Sequence, residues 1–187
     1  RYIFDTWRGT AEHYGFREYD GPPIEELDLY TKKSGDEIVG QLYNFTDKGD
    51  RNVSLRPEMT PTLARMASSH TRNYKKPIKW FSIPQLFRYE RQQKGRLREH
   101  FQLNADIIGE ENQAADAELI TLLIDTLRDL KLTSDDFVVR LSSRRAWQDF
   151  FENADGQEKD AYDFYQIIDK LDREDPAVSG EKLAKLG

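Results

Sequence analysis

The sequence contains no cysteine among its 187 residues, which excludes disulfide bonds, thiol catalysis and thiolate metal sites. A chain without cysteine is compatible with a reducing cytoplasm. The histidines His13, His70 and His100 are far apart and lack the spacing of metal ligands, so we expect no zinc site. Sequence order alone also defines no Ser-His-Asp triad.

Long apolar runs are missing as well. No stretch approaches the roughly 20 apolar residues that a membrane-spanning helix needs, and no charged-then-apolar secretory leader opens the chain. We therefore expect a cytoplasmic protein. Because the chain begins at Arg1 rather than at a methionine, we expect it to be a trimmed or excised piece.

Glycine-rich phosphate loops are absent, so any nucleotide would have to be held by side chains. The formal net charge of -6 argues against a non-specific polyanion binder. Locally the balance reverses: the stretch from Arg72 to Arg98 carries nine basic residues and one acid, Glu90. A localised anion site is favoured over a merely solvated charged face.

Hydrophobic spacing and turn residues predict a series of short elements. These are a helix over 3–14, an extended stretch over 16–19, strands over 41–46, 52–55, 80–90, 99–108 and 137–141, a helix over 113–131 with Ala117 on its apolar side, and helices in the acidic last forty residues. Thr60 is predicted to cap a further helix with Pro61 at its first position.

The strand over 99–108 has a strict period of two. Phe101, Leu103, Ala105 and Ile107 face one way, and Gln102, Asn104 and Asp106 face the other. Residues 91–98 then form the turn of an antiparallel hairpin. We predict an α+β fold, with an antiparallel sheet flanked by helices, because the strands come in hairpin pairs instead of alternating with helices.

The hairpin predicts a polar surface. Arg88 and Glu90 are two residues apart on one strand, so their side chains share a face. If the hairpin is paired, the Arg88 guanidinium, the amide of Gln102 and the carboxylate of Asp106 converge on one surface of the sheet. Basic residues at the tip suit a polyphosphate. The alternative is an exposed hairpin with weak ion pairs. Aromatic-rich strands on both sides favour a functional surface.

Glu58 and Thr60 form a second candidate pair. Glu58 is suited to a ligand ammonium group, with a hydrogen bond from the Thr60 hydroxyl. The local alternative is a helix cap with a carboxylate near the positive helix end. Taken alone, this alternative is favoured.

The segment from Phe87 to Gln102 (Phe-Arg-Tyr-Glu-Arg-Gln-Gln-Lys-Gly-Arg at its start) resembles motif 2 of class II aminoacyl-tRNA synthetases in its histidyl form. Leu55-Arg56-Pro57-Glu58-Met59-Thr60 resembles the Leu-Arg-Pro-Glu-x-Thr segment of the same family. Motif 1 is expected at about 15–26 and motif 2 at about 85–108. The resemblance implies that residues 1–187 are a partial catalytic domain.

This resemblance implies an ATP site. Arg88 would contact the α-phosphate and act in catalysis, Glu90 would bind the adenine amino group, and Arg96 would hold the terminal phosphates together with Mg²⁺. Either His100 or Phe101 would stack on adenine. No protein side chain is assigned as a metal ligand.

It also implies a histidine site. Glu58, Thr60 and Gln102 would bind the α-amino end, Arg88 the carboxylate, and Asp106 would face the imidazole. The family often has Glu in place of Asp106. The implied reaction joins histidine to tRNA(His) through histidyl-adenylate, in a homodimer.

The chain ends at Gly187, before the family's second catalytic arginine, motif 3 and the anticodon-binding domain, so we expect it to be inactive alone. A histidine-sensing regulatory subunit of ATP phosphoribosyltransferase is the alternative; Arg88, Glu90 and Arg96 together argue against a sensor. A plain interaction module is the third hypothesis.

Overall fold

A computed structural model describes residues 1–32, 40–89, 94–95 and 97–186. The chain forms two compact units, Arg1–Val138 and Val139–Gly187. All described candidate residues lie in the first unit. In the described part of the chain, no helix is long and apolar enough to cross a membrane.

The first unit combines short strands with helices. Its helices are α1 (Tyr2–His13), α2 (Asp28–Thr31), α3 (Thr60–Ser69) and α4 (Ala114–Asp129), with a 3₁₀ turn at Thr71–Asn73. Its strands are β1 (Arg17–Glu18), β2 (Ile24–Glu26), β3 (Asn44–Thr46), β4 (Asn52–Leu55), β5 (Ile78–Ser82), β6 (Gln85–Phe87), β7 (Glu99–Phe101) and β8 (Asn104–Ile108). The described strands thus confirm the α+β prediction.

One sheet has the order β1-β5-β8. β5 pairs antiparallel with β8, with Trp80 opposite Asp106, while β1 runs parallel to β5. Helices α1 and α4 cover one face, where Phe16, Phe81 and Leu122 are buried in the core. The opposite face, on which α1 and α4 do not pack, carries both Trp80 and Asp106 and is called the uncovered face here.

The two covering helices are joined by side-chain hydrogen bonds. The Tyr14 hydroxyl donates to Asp125 at 2.5 Å, and the Thr10 hydroxyl donates to Asp129 at 2.7 Å. Gly15 follows α1 with a φ of 76°, a left-handed conformation that glycine adopts without steric cost. The helix predicted over 3–14 is therefore confirmed, and it ends before this glycine.

A second sheet has the order β2-β4-β3, and β6 with β7 forms a separate hairpin. The buried Glu25 carboxylate of β2 accepts a hydrogen bond from Arg65 of α3 at 2.6 Å. This ion pair connects the second sheet to the helix that follows the Arg-Pro-Glu segment.

Two of the predicted strands are each divided. The strand predicted over 80–90 covers parts of two strands, β5 and β6, which belong to different sheets. Pro84 lies between them, because proline lacks the backbone N–H that a central strand donates. The 99–108 prediction covers β7 and β8, separated by Gln102 and Leu103. Gln102 instead donates its backbone N–H to the Pro84 carbonyl at 3.4 Å.

The predicted strand over 137–141 is wrong, since these residues are outside any strand. Val138 is 77% exposed and Leu141 is 71% exposed. A strand is stable only when a neighbouring strand completes its hydrogen bonds, and none in the described residues does so. The 41–46 prediction is too long, because the strand begins at Asn44.

Two helix details also differ from the prediction. Met59 is the cap residue of α3, its carbonyl accepting from Leu63 at 2.9 Å, so Thr60 is already helical and makes no capping bond. The buried side of α4 is formed by Leu122 and Thr126, whereas Ala117 is exposed. Packing against α1 determines which side of α4 is buried, and apolar spacing alone puts Ala117 on that side by mistake.

The second unit is helical, as predicted. It contains α5 (Arg144–Asn153), a 3₁₀ turn (Glu158–Asp160), α6 (Ala161–Ile168) and α7 (Pro176–Ala184). The buried Phe164 ring contacts Phe151 with centroids 4.7 Å apart. Ser143 and Asp175 cap α5 and α7 by accepting backbone N–H bonds.

Candidate active site

The face of the first sheet opposite the helices carries the polar candidates. Ala105 and Ile107 of β8 pack toward the core, and successive side chains of a strand point to opposite faces. Asn104 and Asp106 therefore lie on the uncovered face. The alternation predicted from the sequence is confirmed within β8.

Arg88 and Glu58 meet in one cleft. Gln41, Pro57, Glu58 and Arg88 line a cavity of about 100 Å³. The Arg88 guanidinium donates from Nε to the Pro57 carbonyl at 3.1 Å, and its terminal nitrogens make no hydrogen bond within the described residues. A carboxylate and a guanidinium side by side match the two charged ends of an amino acid.

The backbone around Arg88 is fixed from three directions. Phe87 donates to the Arg56 carbonyl at 3.0 Å, Arg88 to the Arg98 carbonyl at 2.9 Å, and Tyr89 to the Gln41 carbonyl at 2.8 Å. The Arg98 guanidinium lies 4.0 Å from the centre of the Tyr89 ring. Such anchoring positions a side chain before any ligand arrives.

Arg56 is buried below this loop and is 4% exposed. Its Nε donates to the Gln85 carbonyl at 3.0 Å, and one terminal nitrogen donates to the Gly21 carbonyl at 2.6 Å and to Asp20 at 3.1 Å. A buried guanidinium requires such partners. Arg56 therefore connects the segments before β2, α3 and the hairpin.

The hairpin separates the two residues that remained open for adenine stacking. β6 and β7 pair antiparallel, and the bond between Arg88 and Arg98 continues the ladder. Because side chains alternate, His100 shares the face of Arg88 and Phe101 lies on the other. Phe101 packs there against Phe4 of α1, with ring centroids 4.9 Å apart.

Asp106 lies in β8 beside aromatic residues. Burial raises the pKa of its carboxyl group above the usual aspartate value. In the described part of the chain, this carboxylate accepts no hydrogen bond. An isolated, partly desolvated acceptor of this kind is suited to an N–H donor of a ligand.

The remaining candidates are less closely grouped. Gln102 is exposed between β7 and β8, and Thr60 is exposed at the first residue of α3. Glu90 and Arg96 lie outside the described residues, as does half of the predicted turn over 91–98.

Sequence reasoning missed several contributors. Gln41 lines the cleft, Arg56 anchors it, and Tyr19 lies near Asp106. Arg56 belonged to the quoted Leu-Arg-Pro-Glu segment, so a signal existed for it. No local pattern marks Gln41 or Tyr19, because both reach the site through tertiary contacts.

Across residues 1–32, 40–89, 94–95 and 97–186, no group of three histidine, aspartate or glutamate side chains is arranged to hold a metal ion. Mg²⁺ bound together with a nucleotide takes most of its ligands from phosphates and water, so it does not need a group of this kind.

Solved structures show the same fold. The histidyl-tRNA synthetase of Nostoc sp. PCC 7120 matches all of this chain and 41% of its own chain, with a TM-score of 0.82 and 23% identity. A Bacillus halodurans protein described as an ATP phosphoribosyltransferase regulatory subunit/histidyl-tRNA synthetase matches 70% of this chain and 34% of its own, with a TM-score of 0.63 and 25% identity. The fold is that of the class II aminoacyl-tRNA synthetases.

Sequence comparison identifies one family within this class. The family model described as histidyl-tRNA synthetase matches residues 2–184. The histidine–tRNA ligase of Opitutus terrae is 49% identical over 172 residues, which are 92% of this chain and 39% of that protein. The chain belongs to the histidyl-tRNA synthetase family. It spans about two fifths of the length of the curated relatives that it matches.

Proposed function

We propose that this chain is part of a histidine–tRNA ligase. A carboxylate oxygen of histidine attacks the α-phosphorus of ATP, the bond to the bridging oxygen breaks, and pyrophosphate leaves. The terminal ribose hydroxyl of tRNA(His) then attacks the carbonyl carbon of histidyl-adenylate, and AMP leaves. Family membership supports the reaction class, and the cleft shared by Arg88 and Glu58 is the observation that carries the proposal.

Arg88 is the proposed catalytic residue. Its Nε is occupied by the Pro57 carbonyl at 3.1 Å, so the terminal nitrogens are directed to the histidine carboxylate and the α-phosphate. Charge moves from the attacking oxygen to the phosphate in the transition state. A preorganised guanidinium stabilises this charge without reorganisation during the reaction.

The proposed histidine site surrounds this arginine. Glu58 binds the α-ammonium group, assisted by Thr60 and Gln102, and Asp106 accepts a hydrogen bond from the imidazole. Thr60 is proposed here as a ligand-binding hydroxyl only, since it does not cap α3.

For ATP, His100 is proposed to stack on adenine because it lies on the hairpin face of Arg88, whereas Phe101 packs on Phe4. Glu90 and Arg96 are proposed, on the family resemblance, for the adenine amino group and the terminal phosphates. Mg²⁺ is expected to accompany ATP and to neutralise phosphate charge.

Further proposals follow from the family. The full-length protein is proposed to act in the cytoplasm as a homodimer, with motif 1 at about 15–26 contributing to the interface.

The test is ATP–pyrophosphate exchange by the full-length protein with each of the twenty amino acids. Exchange that depends on histidine alone is expected. Full-length protein that binds histidine but gives no exchange would contradict the ligase proposal.

The second candidate function is a histidine-sensing regulatory subunit of ATP phosphoribosyltransferase. The likeness to the Bacillus halodurans protein favours it. A sensor needs the amino-acid site but no ATP site, so the presence of Arg88, Glu90 and Arg96 in this sequence favours the ligase. Titration with ATP distinguishes the two functions.

A further inference from the structure

Two hydroxyl groups are buried without partners on the uncovered face of the first sheet. These are the Tyr19 phenol and the Ser82 hydroxyl, and neither atom makes a hydrogen bond in the described part of the chain. Ser82 is 1% exposed. The two groups lie close together, but not in hydrogen-bonding geometry. Buried polar atoms without partners are rare in native proteins and call for an explanation.

The strand register places Tyr19, Ser82 and Asp106 on one face of the first sheet, with Ser82 diagonal to Asp106 across β5 and β8. Tyr19 directly follows β1 and donates its backbone N–H to the Phe81 carbonyl at 2.9 Å, so it continues the pairing of β1 with β5 toward Ser82. Tyr19 also packs on Trp80, with ring centroids 5.6 Å apart, and Trp80 is directly opposite Asp106.

The electrostatic environment indicates the same proximity. Burial raises the pKa of Tyr19 to about 12; the neighbouring Ser82 hydroxyl opposes this rise, and the charge of the Asp106 carboxylate adds to it. The phenol therefore remains protonated and is a hydrogen-bond donor at neutral pH.

The needs of these groups are complementary. Within the described residues, the Tyr19 and Ser82 hydroxyls are donors without an acceptor, and the Asp106 carboxylate is an acceptor without a donor. Both hydroxyl oxygens are closed to solvent, so a ligand does not reach them directly. A rotation of the short Asp106 side chain would be needed to bring the donors and the acceptor together.

We propose that Tyr19 and Ser82 are positioning residues for Asp106. In the ligand-bound state their hydroxyls donate to one carboxylate oxygen, and this holds the other oxygen toward an N–H of the substrate ring. The inference rests on the proposed function, because it assigns Asp106 to the imidazole of histidine. It adds two residues that do not touch the substrate and act through the carboxylate.

The test uses pyrophosphate exchange by the full-length protein with Tyr19→Phe and Ser82→Ala. Each variant is expected to raise the KM for histidine about tenfold, the effect of one hydrogen bond to a charged group, with little change in kcat or in the KM for ATP. Ser82→Thr keeps the hydroxyl and is expected to restore the wild-type KM.

The matched control is Tyr14→Phe. It removes a phenol that bonds to Asp125 between α1 and α4, away from the uncovered sheet face. The KM for histidine should not change in this variant. Thermal unfolding of every variant verifies that it folds.

A double-mutant cycle tests whether the hydroxyls act through Asp106. In an Asp106→Asn background, Tyr19→Phe should change kcat/KM for histidine by less than about twofold, because the carboxylate that it positions is gone. Equal losses in both backgrounds, an unchanged KM in the single variants, or a raised KM for ATP would overturn the inference. If one of these results is found while the wild-type protein shows histidine-dependent exchange, the inference about Tyr19 and Ser82 fails and the proposed function still stands.

Discussion

The Arg88 guanidinium donates from Nε to the Pro57 carbonyl at 3.1 Å, one residue before Glu58. This bond joins the hairpin that begins at β6 to the segment that precedes α3, two parts of the chain about thirty residues apart. It gives the cleft a cation and an anion at fixed positions. The first prediction depends on this cation.

Replacing Arg88 with alanine removes the proposed stabilising charge. In the full-length protein, Arg88→Ala should lower the kcat of histidine-dependent exchange by about a hundredfold or more. Arg88→Lys keeps the charge but loses the planar fork, and it should recover only part of the rate. Arg72→Ala, at an exposed arginine of the same basic stretch, is the control and should keep kcat. An unchanged rate in Arg88→Ala would remove this residue from its role.

Replacing Arg56 tests the anchor below the cleft. Arg56→Met leaves the Gln85 and Gly21 carbonyls without their donor, so the free energy of unfolding should fall by about 2–4 kcal/mol. Urea unfolding followed by circular dichroism measures the change. Arg51→Ala is the control, since its exposed ion pair with Asp47 should contribute little. Equal midpoints for the two variants would show that Arg56 is not an anchor.

The ionised Asp106 carboxylate should destabilise the ligand-free protein at neutral pH. Its pKa is raised in the folded state by burial, so ionisation favours the unfolded chain. The cost is absent below the unfolded pKa of about 3.9 and fully present above the folded pKa. Asp106→Asn should therefore raise the melting temperature at pH 7 but not at pH 3, and it should raise the KM for histidine while leaving measurable exchange. A lower melting temperature at pH 7 would contradict this electrostatic argument.

The helical unit depends on its aromatic core. Phe164 is 3% exposed and contacts Phe151, so Phe164→Ala should destabilise this unit by about 3–5 kcal/mol. Amide hydrogen exchange in α5–α7 measures the loss of protection locally. Tyr162→Ala, at a side chain that is 73% exposed, is the control. Similar exchange in both variants would show that Phe164 is not the centre of this core.

Most elements of the fold are visible in the sequence because they obey local rules. The helix before Gly15, the strand over 52–55 and the polar alternation at Asn104 and Asp106 follow from spacing and turn chemistry. The division at Pro84 has a local signal in the proline itself, whereas the division at Gln102 depends on which sheet each half joins. The strand over 137–141 failed for a related reason, the lack of a pairing strand in the described residues.

The candidate site also contains residues that the sequence predicts and residues that it does not. The motif residues Arg88 and Glu58 were predicted, and the structure brings them into one cleft. Gln41 and Tyr19 were not, since their roles arise from distant parts of the chain meeting in space. Glu90 and Arg96 lie outside the described residues, so their roles stay predictions.

Calorimetric titration of the full-length protein with histidine, in the presence and absence of ATP, is the most direct test of the proposed site. The account predicts binding of histidine but not of other amino acids, together with ATP binding that Arg88→Ala weakens. Histidine binding without any ATP binding would identify a sensor, and the absence of both would contradict the site described here.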